Sequence, residues 1–167
     1  MQIRAAKPGD EQAIFSLIKE LALYEKAPEQ VSNSVEQLSQ DLFKSFICEA
    51  IVAEENKEIA GFALFYTAYS TWKGKILYLE DFYVKENHRN KGIGNMLFEK
   101  VVEIAKDKKV KRMDWQVLEW NDLALRFYEK KDTDYKDFRE NINRLKERVY
   151  DITISENNKS DKVKFVY

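Results

Sequence analysis

The hydrophobic patterns along this chain predict an α/β domain built on a mixed sheet, and three observations carry that prediction. Short runs of β-branched and aromatic residues alternate with stretches whose apolar residues recur at helical spacing. They follow in the order strand, two helices, three strands, helix, strand, helix. At 167 residues the chain can bury one core but not two ordinary ones, so residues 1–167 are expected to form a single domain.

The first short strand ends at Pro8-Gly9-Asp10, where the aspartate can cap a helix carrying Ile14, Leu17, Ile18 and Leu21 on one face and running to about Tyr24. Ser34 followed three residues later by Gln37 is a capping-box pattern, and Leu38, Leu42 and Phe46 continue it along a second helix. Cys48 to Glu54, the polar turn Glu55-Asn56-Lys57 and Ile59 to Thr67 read as a hairpin, and a further strand spans roughly Ile76 to Val84. Ile93, Leu97, Val101 and Ile104 share one helical face; Met113 to Leu118 reads as a strand; Asn121 opens a short helix with Ala124, Phe127 and Tyr128. All five glycines and both prolines lie at or before Gly94, so turns beyond it must be made by Asn and Asp. There a charged helix is expected over Tyr135 to Lys146, a strand over Val149 to Ser155, a turn at Asn157-Asn158 and a strand over Val163 to Tyr167.

Composition narrows the function classes. A hydrophobic share of 44% fits a packed globular core, and 28 basic against 29 acidic residues leave no global pull toward nucleic acid. Cys48 is the one cysteine, which rules out an internal disulfide and a Cys-rich metal site and suits a reducing cytoplasm. His88 is the one histidine, so neither a His-based metal cluster nor a Ser-His-Asp triad can be built; it reads as a surface residue of a basic loop. No apolar run has the length of a signal peptide core or a membrane span. The expected partner list therefore holds no metal, no nucleic acid and no membrane.

The most informative stretch runs Leu77-Tyr78-Leu79-Glu80-Asp81-Phe82-Tyr83-Val84, then Arg89-Asn90-Lys91-Gly92-Ile93-Gly94, then an amphipathic helix. Backbone N–H groups at a helix start are unpaired and sit at the positive end of the helix dipole, so they can hold a phosphate, and glycine lets the anion come close. Arg89 and Lys91 add charge, although two basic residues on a loop also serve solubility. A bare Gly-x-Gly would read first as a plain turn. Glu80-Asp81 interrupts an apolar strand, and neighbours on a regular strand face opposite sides, so at least one carboxylate is expected to be buried or at a cleft. A salt bridge to a helix or a strand-end position would also explain the pair, whereas function would use it to attract a cation or accept a proton.

Arg89-Asn90-Lys91-Gly92-Ile93-Gly94 matches the signature of the GNAT superfamily of N-acetyltransferases: Arg or Gln, two residues, Gly, one residue, then Gly or Ala. Leu21-Ala22-Leu23-Tyr24-Glu25, Gly61-Phe62-Ala63, Trp72-Lys73-Gly74-Lys75, Leu79-Glu80-Asp81-Phe82 and Trp120-Asn121 followed by Phe127-Tyr128 extend the resemblance from about Ile3 to Tyr128. Together they resemble the diamine (spermidine/spermine) N-acetyltransferase branch and its thialysine-acetylating relatives. The resemblance implies a mixed, mostly antiparallel central sheet flanked by helices, with acetyl-CoA as co-substrate. It implies that the backbone of Phe82, Tyr83 and Val84 pairs with the pantetheine arm, and that Arg89, Asn90, Lys91, Gly92, Ile93, Gly94 and Asn95 take the pyrophosphate. Asn121 then opens the helix beside the cofactor. Tyr128, which the sequence alone reads first as a core aromatic, is placed near the thioester sulfur as a general acid. Glu80 is the second catalytic candidate. Glu25, Glu80, Asp81 and Trp72 are candidates for the acceptor site, against the plainer readings of Glu25 as a solvated helix-end residue and Trp72 as packing.

The resemblance fails after Tyr128. Glu129-Lys130-Lys131-Asp132-Thr133 lacks the glycine expected there, no tryptophan follows Trp120, and Ser70 stands where polyamine enzymes tend to carry an aspartate. The segment from about residue 129 is thus divergent, and the acceptor site is expected to be remodelled. The leading expectation is transfer of acetyl to a primary amine of a small cationic metabolite, a diamine, polyamine or amino acid. Two others stay open: a protein N-terminus or lysine as acceptor, and a non-catalytic acyl-CoA-binding module. Relatives of this branch pair through C-terminal strands, and the chain ends in apolar Val163 to Tyr167, so a homodimer is expected.

Overall fold

A computed structural model describes residues 1–134 and 142–146. The chain forms β1 (Gln2–Ala5), α1 (Glu11–Tyr24), α2 (Val35–Phe43), β2 (Glu49–Glu55), β3 (Glu58–Ser70), β4 (Gly74–Val84), α3 (Ile93–Asp107), β5 (Met113–Val117), α4 (Asp122–Asp134) and β6 (Ile142–Lys146). The strands lie side by side in chain order; β1 to β4 are antiparallel and β5 and β6 join in parallel, giving a mixed, mostly antiparallel sheet flanked by helices.

Strand alternation divides the apolar residues between two cores. On one face Phe65, Leu77, Leu79 and Trp115 pack against Ile93, Leu97 and Phe98 of α3 and Tyr128 of α4. On the other, Phe62, Leu64 and Tyr83 pack against Ile14 and Leu17 of α1 and Leu38 and Leu42 of α2. Both helical faces are the ones their spacing predicts. The β2–β3 turn forms where Asn56 and Lys57 adopt φ of 51° and 67°, as a tight hairpin demands. Ser34 caps α2 by accepting the Gln37 N–H at 3.1 Å, while the Gln37 amide turns to Asp41 instead of closing the box.

Three expectations need correction. Asp10 stands at the start of α1 but makes no side-chain cap; its carboxylate takes both ends of the Arg4 guanidinium, at 2.6 and 3.0 Å, and the Lys7 N–H. This partly buried pair ties β1 to α1, and the Arg4 bond holds the Asp10 carboxyl below its usual range against the opposing effect of burial. Phe46 does not continue the face of Leu38 and Leu42. The helix stops at Phe43, and Phe46, at φ 50° and 74% exposed, turns the chain toward β2. Finally, Ile142–Lys146 is a strand rather than the end of a charged helix, because the open edge of β5 offers a parallel partner and pairing overrides local propensity. The strands expected over 149–155 and 163–167, and the turn at 157–158, lie outside the described residues.

Candidate active site

The site forms where the sheet comes apart. β4 and β5 pair only at Leu77↔Met113, Tyr78↔Asp114 and Leu79↔Trp115, after which both run on without pairing to each other. Among the described residues, the edge of Phe82–Val84 that faces β5 therefore has no strand partner. The separation coincides with a β-bulge: Phe65 pairs with Leu79 and Leu64 with Asp81, so Glu80 is an extra residue with no counterpart on β3. Its effect on direction is plain. Leu77 and Leu79, then Phe82 and Val84, contribute to the α3–α4 core, whereas Tyr83 lies in the α1–α2 core. The bulge turns both Glu80 and Asp81 away from the α3–α4 side, correcting the expectation that neighbouring carboxylates face opposite ways.

A cleft of about 300 Å³ opens beside the unpaired edge. One wall is the start of α3, where Asn90 and Gly92 have φ of 62° and 80° and no side chain caps the first turn. The first-turn N–H groups thus face the cleft as an uncapped anion cradle. A Cβ on Gly92 would meet nothing within 4 Å, so glycine is needed there for its left-handed backbone and not for room. Arg89 is less free than a loop cation would be. Its Nε–H donates to the Val84 carbonyl at 2.9 Å, and its guanidinium lies 5.1 Å from the Tyr24 ring and 5.4 Å from the Tyr83 ring. Tyr24 also donates its hydroxyl to Asn121 at 3.2 Å, and the same Asn121 oxygen caps α4 by accepting the Ala124 N–H at 3.1 Å. This bond joins the end of α1 to the start of α4 across the cleft mouth.

Tyr128 closes the inner end. Its ring packs 5.1 Å from Trp115 and 5.3 Å from Phe127, and among the described residues nothing hydrogen-bonds to its hydroxyl. Burial, then the charge of Glu25, raise its pKa well above the ordinary tyrosine value, so it is an even firmer proton holder than its sequence position suggests. Glu25 also acts on Asp81, whose pKa is pushed up to about 7 by burial first and then by Glu80 and Glu25. Burial alone raises Glu25 and Glu80; the Glu80 side chain is solvent-exposed, but the surrounding strands still limit its hydration. Opposite lie Tyr66 and Tyr78, a cross-strand pair with rings 5.3 Å apart. Burial and the Glu80 charge raise both, Tyr78 to about 12.

Of the residues singled out in the sequence, Phe82, Tyr83, Val84, Arg89, Asn90, Gly92, Ile93, Gly94, Asn95, Asn121 and Tyr128 line the cleft. Lys91 is exposed on the loop beside it. Glu25, Glu80 and Asp81 are not among the residues that line the cleft; the charges of Glu80 and Glu25 act on Asp81, and of the three Glu25 alone acts on Tyr128. Trp72 is not brought to them: it sits at the β3–β4 hairpin tip, 92% exposed and absent from the lining. His88 packs beside Glu55 at 3.7 Å, clear of the cleft. Sequence reasoning gave no role to Tyr24, Tyr66 or Tyr78. Tyr24 stood in a quoted motif, and the two strand tyrosines could have been paired from the hairpin register.

A profile of the acetyltransferase (GNAT) family matches residues 14–132. The chain is 40% identical to a thialysine N-epsilon-acetyltransferase of Bos taurus over 77% of its length and 81% of that protein. It is 37% identical to one of Caenorhabditis elegans over 77% of its length and 79% of that protein. Among solved structures, an aminoglycoside acetyltransferase from an uncultured soil metagenomic sample superposes with a TM-score of 0.70 over 93% of this chain and 96% of that one, at 19% identity, a likeness of fold.

Proposed function

The chain belongs to the acetyltransferase (GNAT) family, and from that premise we propose that it moves the acetyl group of acetyl-CoA to a primary amine of a small cationic metabolite by direct attack. The observation that carries this reading is the meeting, in one gap of the sheet, of an uncapped helix start, an unpaired strand edge, a buried phenol and a group of carboxylates. Acetyl-CoA would supply the activated acetyl group as a thioester. The unpaired edge at Phe82, Tyr83 and Val84 suits an amide-rich pantetheine arm, and the turn from Arg89 through Asn95, Lys91 included, suits a pyrophosphate. Tyr128 holds a proton for the departing sulfur. Glu80, Asp81 and Glu25 form an anionic surface for an ammonium group, and the two thialysine-acetylating relatives support a small amine or amino acid over a protein.

The same reading includes a homodimer working in the cytoplasm. The apolar end Val163 to Tyr167 and the exposed aromatic tip with Tyr69 and Trp72 favour a partner, and in a dimer Trp72 can serve an acceptor site other than its own protomer's. Sedimentation at micromolar concentration tests it, and a monomer alone would contradict it. For the activity, thiol release from acetyl-CoA is measured against thialysine, ornithine, putrescine, spermidine and a panel of peptides. Turnover with the small cations is expected. Turnover with peptides alone would make this a protein acetyltransferase, and binding without any turnover would make it an acyl-CoA-binding module.

A further inference from the structure

The mouth of the cleft is spanned by groups from opposite faces of the sheet. Helix α1 belongs to the core that Tyr83 enters and α4 to the core that Tyr128 enters, so the two can be tied together only where β4 and β5 have parted. Tyr24, the last residue of α1, makes the tie. Its ring lies 5.7 Å from the Trp120 ring and 5.1 Å from the Arg89 guanidinium, while its hydroxyl donates to Asn121 Oδ1 at 3.2 Å. Tyr24, Arg89 and Asn121 all line the cleft. The chain leaves α1 through Lys26 in the left-handed region, at φ 62°, and the Lys26 ammonium stands 5.0 Å from the Trp120 ring. The order along the stack is thus Arg89, Tyr24, Trp120, Lys26, two rings between two cations.

Asn121 is held by its oxygen. A backbone N–H can only donate, so the 3.1 Å bond from Ala124 settles which end of the amide is oxygen, and the Tyr24 hydroxyl takes the second place on the same atom. An amide oxygen has two acceptor sites, and here both are filled. The NH2 end makes no hydrogen bond to any described residue. What Asn121 can still offer to the cleft is therefore two N–H donors and no acceptor. Without the Tyr24 hydroxyl, the side chain would keep its cap on α4, lose its hold on α1 and regain a free acceptor site.

We propose that Tyr24 is a positioning residue for the coenzyme: it presents Asn121 as a donor alone, matched to an amide carbonyl of the pantetheine arm. The assignment rests on the acetyl-CoA reading above. Pantetheine carries two secondary amides, each with one carbonyl oxygen and one N–H. The unpaired edge of Phe82–Val84 offers such an arm the pairing of a strand, and Asn121, which follows β5 on the other side of the gap, adds a side-chain donor. An Asn free to turn over would accept or donate there with little preference; the filled oxygen removes that choice. Tyr24 acts through Asn121 and has no part in making or breaking bonds.

The test measures by calorimetry the binding of CoA and of 3′-phospho-ADP, which keeps the pyrophosphate and lacks the pantetheine arm. The proteins are the wild type, Tyr24→Phe, Asn121→Ser and the double variant. Phe keeps a ring beside Arg89 and Trp120, and Ser keeps a cap for the Ala124 N–H. Tyr24→Phe should weaken CoA binding by about 2- to 10-fold, the worth of one hydrogen bond, and leave 3′-phospho-ADP unchanged. In the Asn121→Ser background the same change should have no effect on CoA, since the group it positions is gone. Unchanged CoA affinity in Tyr24→Phe, equal weakening of both ligands, or losses that add in the double variant would each overturn the proposal. A second readout leaves Tyr24 intact: the NMR signal of the Asn121 side-chain NH2, identified by its loss in Asn121→Ser, should shift with CoA and stay in place with 3′-phospho-ADP. A shift of equal size with both would overturn the proposal as well. A wild type that binds neither ligand would instead remove the acetyl-CoA reading and this assignment with it.

Discussion

Replacing Asp81 with Asn should make the protein more stable. A carboxyl whose folded pKa lies above its unfolded value contributes stability that is complete below the unfolded pKa and is lost as pH rises through the folded one. For Asp81 that window runs from an ordinary aspartate's 3.8 to about 7. At about 1.4 kcal/mol for each tenfold change in proton affinity, the ceiling is about 4 kcal/mol. Mutual adjustment among Glu25, Glu80 and Asp81, together with water in the open cleft, should leave about 1–2 kcal/mol of it. Asn keeps the shape and cannot ionise, so at pH 8 the variant should melt roughly 2–8 °C above the wild type, and at about pH 3, below the unfolded pKa, the gap should nearly close. Carboxylates held low, such as Asp10, lose their contribution only as pH falls below their own range, outside this window. Thermal unfolding by circular dichroism at the two pH values decides the matter. A variant no more stable than the wild type at pH 8, or a gap independent of pH, would refute the claim that Asp81 is ionised at a cost in the folded protein.

The remaining predictions concern the cleft. Gly92→Val places a β-branched side chain at φ 80°, with a Cβ that meets nothing within 4 Å, so acetyl-CoA affinity should vanish by calorimetry while the circular dichroism spectrum is kept; unchanged affinity would remove the pyrophosphate assignment. Tyr128→Phe removes a hydroxyl that nothing among the described residues bonds, so stability and acetyl-CoA affinity should hold while kcat falls by about 10²-fold; full activity would end the general-acid role, and a defect confined to KM would indicate binding instead. Gly61→Ala would put a Cβ 2.7 Å from the Tyr83 carbonyl oxygen, so urea unfolding should show a loss of about 1–3 kcal/mol and acetyl-CoA binding should weaken as the strand edge is displaced; a wild-type midpoint would show that the two strands separate freely there.

The sequence was legible where a feature is local. Ser34 and the Gln37 N–H lie within one turn of each other, and the glycine-opened start of α3 announces itself by spacing alone. It was opaque where geometry depends on a distant partner. Whether Asp10 caps its helix or binds Arg4 is settled by β1 lying beside α1, and whether Ile142–Lys146 coils or extends is settled by the edge of β5. The bulge at Glu80 arises from the register with β3, so no reading of β4 by itself could have told that both carboxylates turn the same way. In the sequence Arg89 reads as a loop cation, because nothing in its own loop reveals that Tyr24 and Tyr83 will stack around it. Similarly, the quoted motif containing Tyr24 gave no sign that its hydroxyl reaches Asn121.

The unpaired residue at Glu80 also bears on how this protein can change by insertion and deletion. Loss of that single codon would leave a strand of ordinary alternation with the same apolar content, one that can still pair with β3 along its whole length. Every side chain beyond it would keep its face, because Leu79, Asp81, Phe82, Tyr83 and Val84 would then alternate as they already do, Phe82 and Val84 toward α3 and α4 and Tyr83 toward α1 and α2. A frame-preserving lesion of three nucleotides would therefore keep the sheet, both cores and the unpaired edge, and remove one carboxylate. The bulge is thus a place where β4 can gain or lose a residue without its flanking side chains changing sides.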